Sequence, residues 1–184
     1  MAYHQNSSVD STKLIIGNCK IESAATSGGT YVNLGAGIVN SAVHNIVKYD
    51  VEAGNAPDPV EGVADETFTI SGELIEYDGS VLSACMGGII SCTVTSVLST
   101  VTGGGASTIT ERAFKLTNTR MVSGVTKETI FIAYKATFDT GPSFTFKSDN
   151  DADPVTTMPF TITGKLDSTR TAGDQLYTIT KWLS

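Results

Sequence analysis

The sequence predicts a mainly β protein, of β-sandwich or barrel-like architecture, with one long hairpin and one short helix. Three observations carry this. The 26 Thr, 15 Val and 14 Ile together make up about 30% of the 184 residues, and β-branched side chains suit a pleated sheet better than a helix. Apolar and polar residues alternate with period two over several long stretches. Gly, Pro, Asn and Asp cluster between those stretches, where turns belong. At 19.3 kDa the chain predicts one domain over residues 13–184, preceded by a polar arm over 1–12. A domain of this size can bury a core without disulfides or metal.

In chain order, the first strand is expected over Leu14 to Ile21, with a turn at Ser27-Gly28-Gly29. A short strand, Tyr31 to Leu34, should end at Gly35. From Ile38 the alternation runs on to Val51. It predicts Val39, Val43, Val47, Tyr49 and Val51 on one face, and Asn40, His44, Lys48 and Asp50 on the other. Such a strand is more than twice the usual ~5–6 residues. Glu52 to Asp65 reads EAGNAPDPVEGVAD; its two prolines and two glycines make it a loop, and an acidic one. Alternation resumes with Phe68, Ile70 and Leu74 against Thr67, Thr69, Ser71 and Glu73. The two strands and their loop predict an extended hairpin whose tip stands clear of the core.

Asp78 is a suitable cap for a helix from Gly79 to Met86, ended by Gly87-Gly88. Strands are expected at Ile90 to Leu98 and Thr108 to Leu116 around the turn Gly103-Gly104-Gly105, then at Thr126 to Phe138. Met158 to Leu166 alternates through Phe160, Ile162 and Gly164. Its Pro159 lacks a donor and so belongs at an edge or a strand end. Gln175 to Leu183 is the last strand expected.

Charge and chemistry narrow the function. Twelve basic against 19 acidic residues give a net of −7 and a pI near 4.7. That argues against sequence-specific nucleic-acid binding and against docking on anionic membranes. No charge occurs between Asp78 and Glu111, yet nine of the 23 residues from Ser80 to Thr102 are Ser or Thr, too polar for a membrane span. The start of the chain lacks the cationic and apolar segments of a signal peptide, so synthesis without export is expected. Cys19, Cys85 and Cys92 match no zinc or redox spacing and read as small core residues in a reducing compartment.

Catalysis finds little to work with. Only His4 and His44 are available as bases, and no G-x-S-x-G elbow is present. Glu73 and Glu76, three apart on a strand, point to opposite faces. Asp149, Asp151 and Asp153 resemble the start of a calcium loop, but Pro154 and Phe160 stand where an EF-hand needs Gly and Glu. A solvated turn is the simpler reading, with an irregular calcium loop as its alternative. The glycine clusters form no phosphate loop. The expectation is a protein that is not an enzyme and holds no cofactor or metal.

The layout resembles the tail tube (major tail) proteins of tailed bacteriophages. The likeness rests on Gly28-Gly29-Thr30-Tyr31-Val32-Asn33-Leu34-Gly35, the long Val39 to Val51 strand, the Glu52 to Asp65 loop, the Phe68 to Glu76 strand and the helix from Asp78. Pro159 to Asp167 and Leu176 to Thr180 fit the closing strands. The resemblance implies a virion structural protein, assembled in the host cytoplasm, that forms stacked rings of six around a channel for DNA. It implies partners in the tape measure, tail-tip and terminator proteins. It implies inter-ring contacts through Glu52, Asn55, Pro57, Asp58, Pro59 and Glu61, helped by the arm Met1 to Thr12. Asn40, His44, Lys48, Asp50 and Glu73 are the lumen-facing candidates, along which DNA would pass without specific binding. The alternatives are a carbohydrate- or receptor-binding β-sandwich on a virion or adhesin, and the ring protein of a type VI secretion or phage-like injection system. The only tryptophan, Trp182, lies in the last expected strand, which leaves the sugar-binding alternative poor in aromatic platforms.

Overall fold

The computed structural model describes residues 18–51, 60–87, 89–104, 109–139, 141, 143 and 157–181. Among them are strands β1 (Asn18–Ala24), β2 (Val32–Val51) and β3 (Val60–Tyr77), then helix α1 (Gly79–Cys85). Next come β4 (Ile90–Val94), β5 (Ser99–Gly103), β6 (Arg112–Val122), β7 (Val125–Phe138), β8 (Met158–Lys165) and β9 (Tyr177–Lys181). The architecture is mainly β with one short helix, as the composition predicts.

The main sheet runs β6-β1-β2-β3-β8-β7-β9, antiparallel throughout, and β7 pairs again with β6. Six strands therefore close into a barrel. One edge of β7 is shared: Ala136 to Phe138 pair with β8, and Thr129 to Ala133 with β9. Closure pairs most strand edges of the wall within the chain, which leaves little edge for other chains.

The alternation read from the sequence fills this barrel. Phe68, Ile70 and Leu74 of β3 point inward, as do Met158, Phe160 and Ile162 of β8. They meet Ile21, Leu34, Phe114, Ala136 and Phe138 in one core. Pro159 lies opposite Glu73, and β7 pairs only from Ile162 onward, so the edge of β8 that lacks a donor is left open at Pro159.

Asp78 caps α1 by accepting from the backbone N–H of Ser80 (2.8 Å) and Val81 (3.0 Å). Leu82, Cys85 and Met86 join the barrel core, so the helix closes the end at which β3 finishes. Gly87, at φ +60°, ends it in the left-handed conformation glycine permits.

Five expectations need correction. Val60 to Asp65, expected as the second part of the acidic loop Glu52 to Asp65, are the start of β3, paired with β2; residues 52–59 lie outside the described residues. The first strand runs on to Ala24; residues 14–17 lie outside the described residues. The two strands expected either side of Gly35 are one 20-residue strand, because Gly35 and Gly37 mark close backbone approach rather than a turn. A Cβ on Gly35 would sit 1.8 Å from the Glu76 carbonyl oxygen. The strand expected over Ile90 to Leu98 stops at Val94 and turns at Thr95–Leu98 into β5, with which it forms a separate two-stranded sheet. Finally, β6 starts at Arg112 and extends to Val122, turning into β7 through Ser123-Gly124, both at positive φ (52° and 77°). That two-residue turn has the twist antiparallel strands prefer.

Candidate self-assembly surface

At the barrel end opposite α1, two hairpins outrun the wall. Past Ile38, β2 pairs with β3 alone among the described residues, and β3 pairs with β2 alone from Glu66 back to Val60. The β2–β3 hairpin thus becomes a two-stranded ribbon, with Val51 paired to Val60 and neither outer edge paired to a third strand among the described residues. The β6–β7 hairpin extends likewise, and its Met121 and Val125 are exposed. Between the two hairpins, β1 covers the gap only from Asn18 onward among the described residues.

A β-bulge sets which way the ribbon's side chains point. Val39 faces Gly72 and Ser41 faces Ser71, leaving Asn40 as an extra residue. Because strand side chains alternate with period two, that one residue inverts the faces. Val39 points toward the core, but beyond the bulge Ala42 and His44 do so, paired with Ile70 and Phe68. The single apolar face expected for Val39, Val43 and Val47 is therefore split. Val43, Ile46, Val47, Tyr49 and Val63 are 46%, 51%, 54%, 50% and 51% exposed, on both faces of the ribbon. A lone ribbon has no core to offer them. Gly62 makes room for the ring of Tyr49 opposite; a Cβ there would meet that ring at 2.4 Å.

The outward face of β2, β3 and β8 carries hydroxyls: Ser41, Thr67, Thr69, Ser71, Thr161 and Thr163, in register across the three strands. Ser41 and Ser71 share a 2.7 Å hydrogen bond, and Asn45 Nδ2 donates to Thr69 Oγ1 at 3.3 Å. Glu73 belongs to this face; His44 and Lys48 belong to the opposite one. Asn40 is exposed at the bulge itself. The five lumen-facing candidates thus share no face, which corrects the alternation read through Asn40. Asp50 and Glu61 are described only as paired backbone near the ribbon's end. Glu52, Asn55, Pro57, Asp58 and Pro59, the arm over 1–12, the Asp149/Asp151/Asp153 run and Trp182 lie outside the described residues.

His44 sits at the root of the ribbon. Its Nε2 is 3.5 Å from Glu66 Oε2, its Nδ1 is 3.4 Å from the Tyr177 hydroxyl, and its ring meets Tyr177 edge-on. No nucleophile completes a catalytic set there. Among the described residues no group of three His, Cys, Asp or Glu is placed to hold a metal ion. Nearby, Arg170 stacks on Tyr134 at 3.7 Å, and both bond Asp174 at 2.6 Å. Those two bonds hold the Asp174 carboxyl below its usual range. They fasten the loop between β8 and β9 to the barrel.

Sequence reasoning missed an apolar pocket of about 340 Å³ between the roots of the two hairpins. Cys19, Val39, Ile70, Leu116, Phe131 and Ile179 line it, with only uncharged polar groups beside them. Burial pushes the Cys19 thiol up to about 11. Its residues come from six strands, so no local motif announces it. Cys19, Cys85 and Cys92 are all free, and only Cys85 is fully buried. No protein-family model matches the chain, and no curated protein is significantly similar to it.

Proposed function

We propose that this chain is a structural protein that assembles with copies of itself into stacked rings, forming the hollow tail tube of a bacteriophage through which genomic DNA passes. The observation that supports it is the β2–β3 ribbon. Apolar side chains on both of its faces are about half exposed, and neither outer edge pairs with a third strand among the described residues. Neighbouring copies can supply both, covering the apolar side chains and pairing the edges. Ring closure then does for the ribbon what barrel closure does for the wall.

The hydroxyl face suits the inner surface of such a tube. It offers phosphate few cations, so DNA slides past without being held. Each copy adds a net charge of −7, which keeps the overall field repulsive to DNA. The expected partners are the proteins that set tube length and close its two ends.

Negative-stain electron microscopy of the concentrated protein, with light scattering on the same sample, tests this. Rings or hollow tubes are the expected result. A folded monomer that stays monomeric with concentration and on addition of a tail-tip complex would remove the proposal.

A further inference from the structure

The β4–β5 hairpin pairs with no barrel strand among the described residues, yet it is firmly held. Ile90 anchors it in the core, Ser83 Oγ donates to the Ile90 carbonyl at 2.9 Å, and Gly79 lets Cys92, Ser99 and Val101 close over α1. At its tip Thr95 N donates to the Leu98 carbonyl at 2.7 Å, and Leu98 N donates to Thr95 Oγ1 at 3.0 Å. This tight turn holds out two apolar side chains, Val97 (84% exposed) and Leu98 (67%). The hairpin packs on α1, at one end of the barrel, and the apolar pocket opens at the other end.

We propose that the Val97–Leu98 tip of one copy seats in the apolar pocket of the next, joining copies end to end. This rests on the self-assembly reading and names a contact within it. Charge selects a second copy as the occupant. Two copies each carrying −7 repel, so contact favours surfaces free of charge on both sides. The hairpin lies within the longest stretch free of Asp, Glu, Lys and Arg, between Asp78 and Glu111, and the pocket lining is uncharged as well. Size agrees: a cavity of about 150 Å³ can take a benzene molecule, and this one, at about 340 Å³, has room for a Val and a Leu side chain. The bonded turn is already in shape, so little conformational freedom is lost on docking. Knob and pocket at opposite ends make the contact heterologous, so it propagates rather than stopping at a dimer.

The test is a cross-link in the assembled full-length protein. Leu98→Cys is introduced in a Cys92→Ser background, which leaves Cys19 in the pocket as the intended partner. Copper-phenanthroline in air is the oxidant, because the high Cys19 pKa leaves little thiolate for exchange. The expected result is a ladder of dimers, trimers and higher species, mapped by mass spectrometry to Cys19 joined to position 98. Separately, Leu98→Asp should raise the threshold concentration for assembly at least tenfold while the monomer's melt is unchanged. Tubes without that linkage, or tubes of Leu98→Asp at the wild-type threshold, overturn the inference and leave the assembly reading standing. A wild-type chain that never assembles overturns both. A linkage seen only after residues 1–12 are removed gives the pocket to the chain's own amino-terminal arm and also overturns it.

Discussion

Replacing Val43 and Val47 together by Thr isolates what the ribbon contributes to assembly. Both lie on the outward face of β2 beyond the bulge, 46% and 54% exposed. About half of each side chain therefore remains to be covered, leaving about 1 kcal/mol per site from the ~1.5–3 kcal/mol of a whole Val. Thr keeps the β-branched outline that suits the strand, but its hydroxyl must be desolvated, which cancels that gain. If each added copy covers its ribbon once, the pair forfeits about 2 kcal/mol, or roughly thirtyfold in threshold concentration. The monomer should melt within about 0.5 kcal/mol of wild type, as exposed substitutions do. Sedimentation velocity against concentration reads the threshold, and circular dichroism the melt. An unmoved threshold with an unmoved melt would falsify the reasoning, since the ribbon would then stay uncovered in the assembly. A large loss of monomer stability would refute it differently, by showing that these side chains serve the barrel.

Three further outcomes are expected. Phe114→Ala empties the centre of the barrel beside Phe138, where Phe114 is fully buried, and should cost about 3–5 kcal/mol in denaturant unfolding; a loss below about 1 kcal/mol would mean the core is not packed as described. Burial alone would push the Glu22 carboxyl up, but Lys115 at 2.6 Å and Lys20 at 2.8 Å outweigh it and hold its pKa below the ordinary 4.5. A lowered folded pKa contributes stability above the ordinary value and loses it as pH falls through the lower one, so acid should weaken wild type more than Glu22→Gln; parallel pH profiles in urea titrations would contradict this. Gly35→Ala places a methyl against the Glu76 carbonyl at positive φ and should destabilise by more than 1 kcal/mol, of order the cost of strained backbone. Gly28→Ala meets open space and should be neutral or slightly stabilising; thermal melts of the two variants check the contrast.

The sequence made the barrel wall legible where one face is buried and the other wet. β3 and β8 alternate inside and outside as their residues alternate, and Asp78 announces α1 through a cap that needs nothing distant. Legibility fails where tertiary pairing decides. Gly35 and Gly37 read as punctuation, yet they are the places where β2 and β3 approach too closely for a side chain. Ser123-Gly124 is a turn of two residues, easily lost between two strands of similar composition. The bulge at Asn40 leaves no mark in the sequence, because an extra residue is defined only by its partner strand. The pocket gathers six strands that are neighbours only after closure. The ribbon's length was visible, but which of its residues share a face was not.

The inversion at Asn40 gives β2 two grammars along one continuous strand. From Gly35 to Val39 odd positions read inward and even positions outward; from Ser41 the parity is exchanged. A scan of charged substitutions along β2 from Gly35 onward would therefore show tolerance at Ala36 and Ile38 and at odd numbers from Ser41 to Asn45. Deleting Asn40 would leave Val39 opposite Gly72 and Ser41 opposite Ser71 in unbroken alternation, so Ser41, Val43 and Asn45 would stay outward and His44 inward on a strand without its bulge. One residue of spacing thus lets two runs of opposite sequence parity share the same two faces of one strand. The ribbon is free to vary its outward side chains while the wall behind it stays the same.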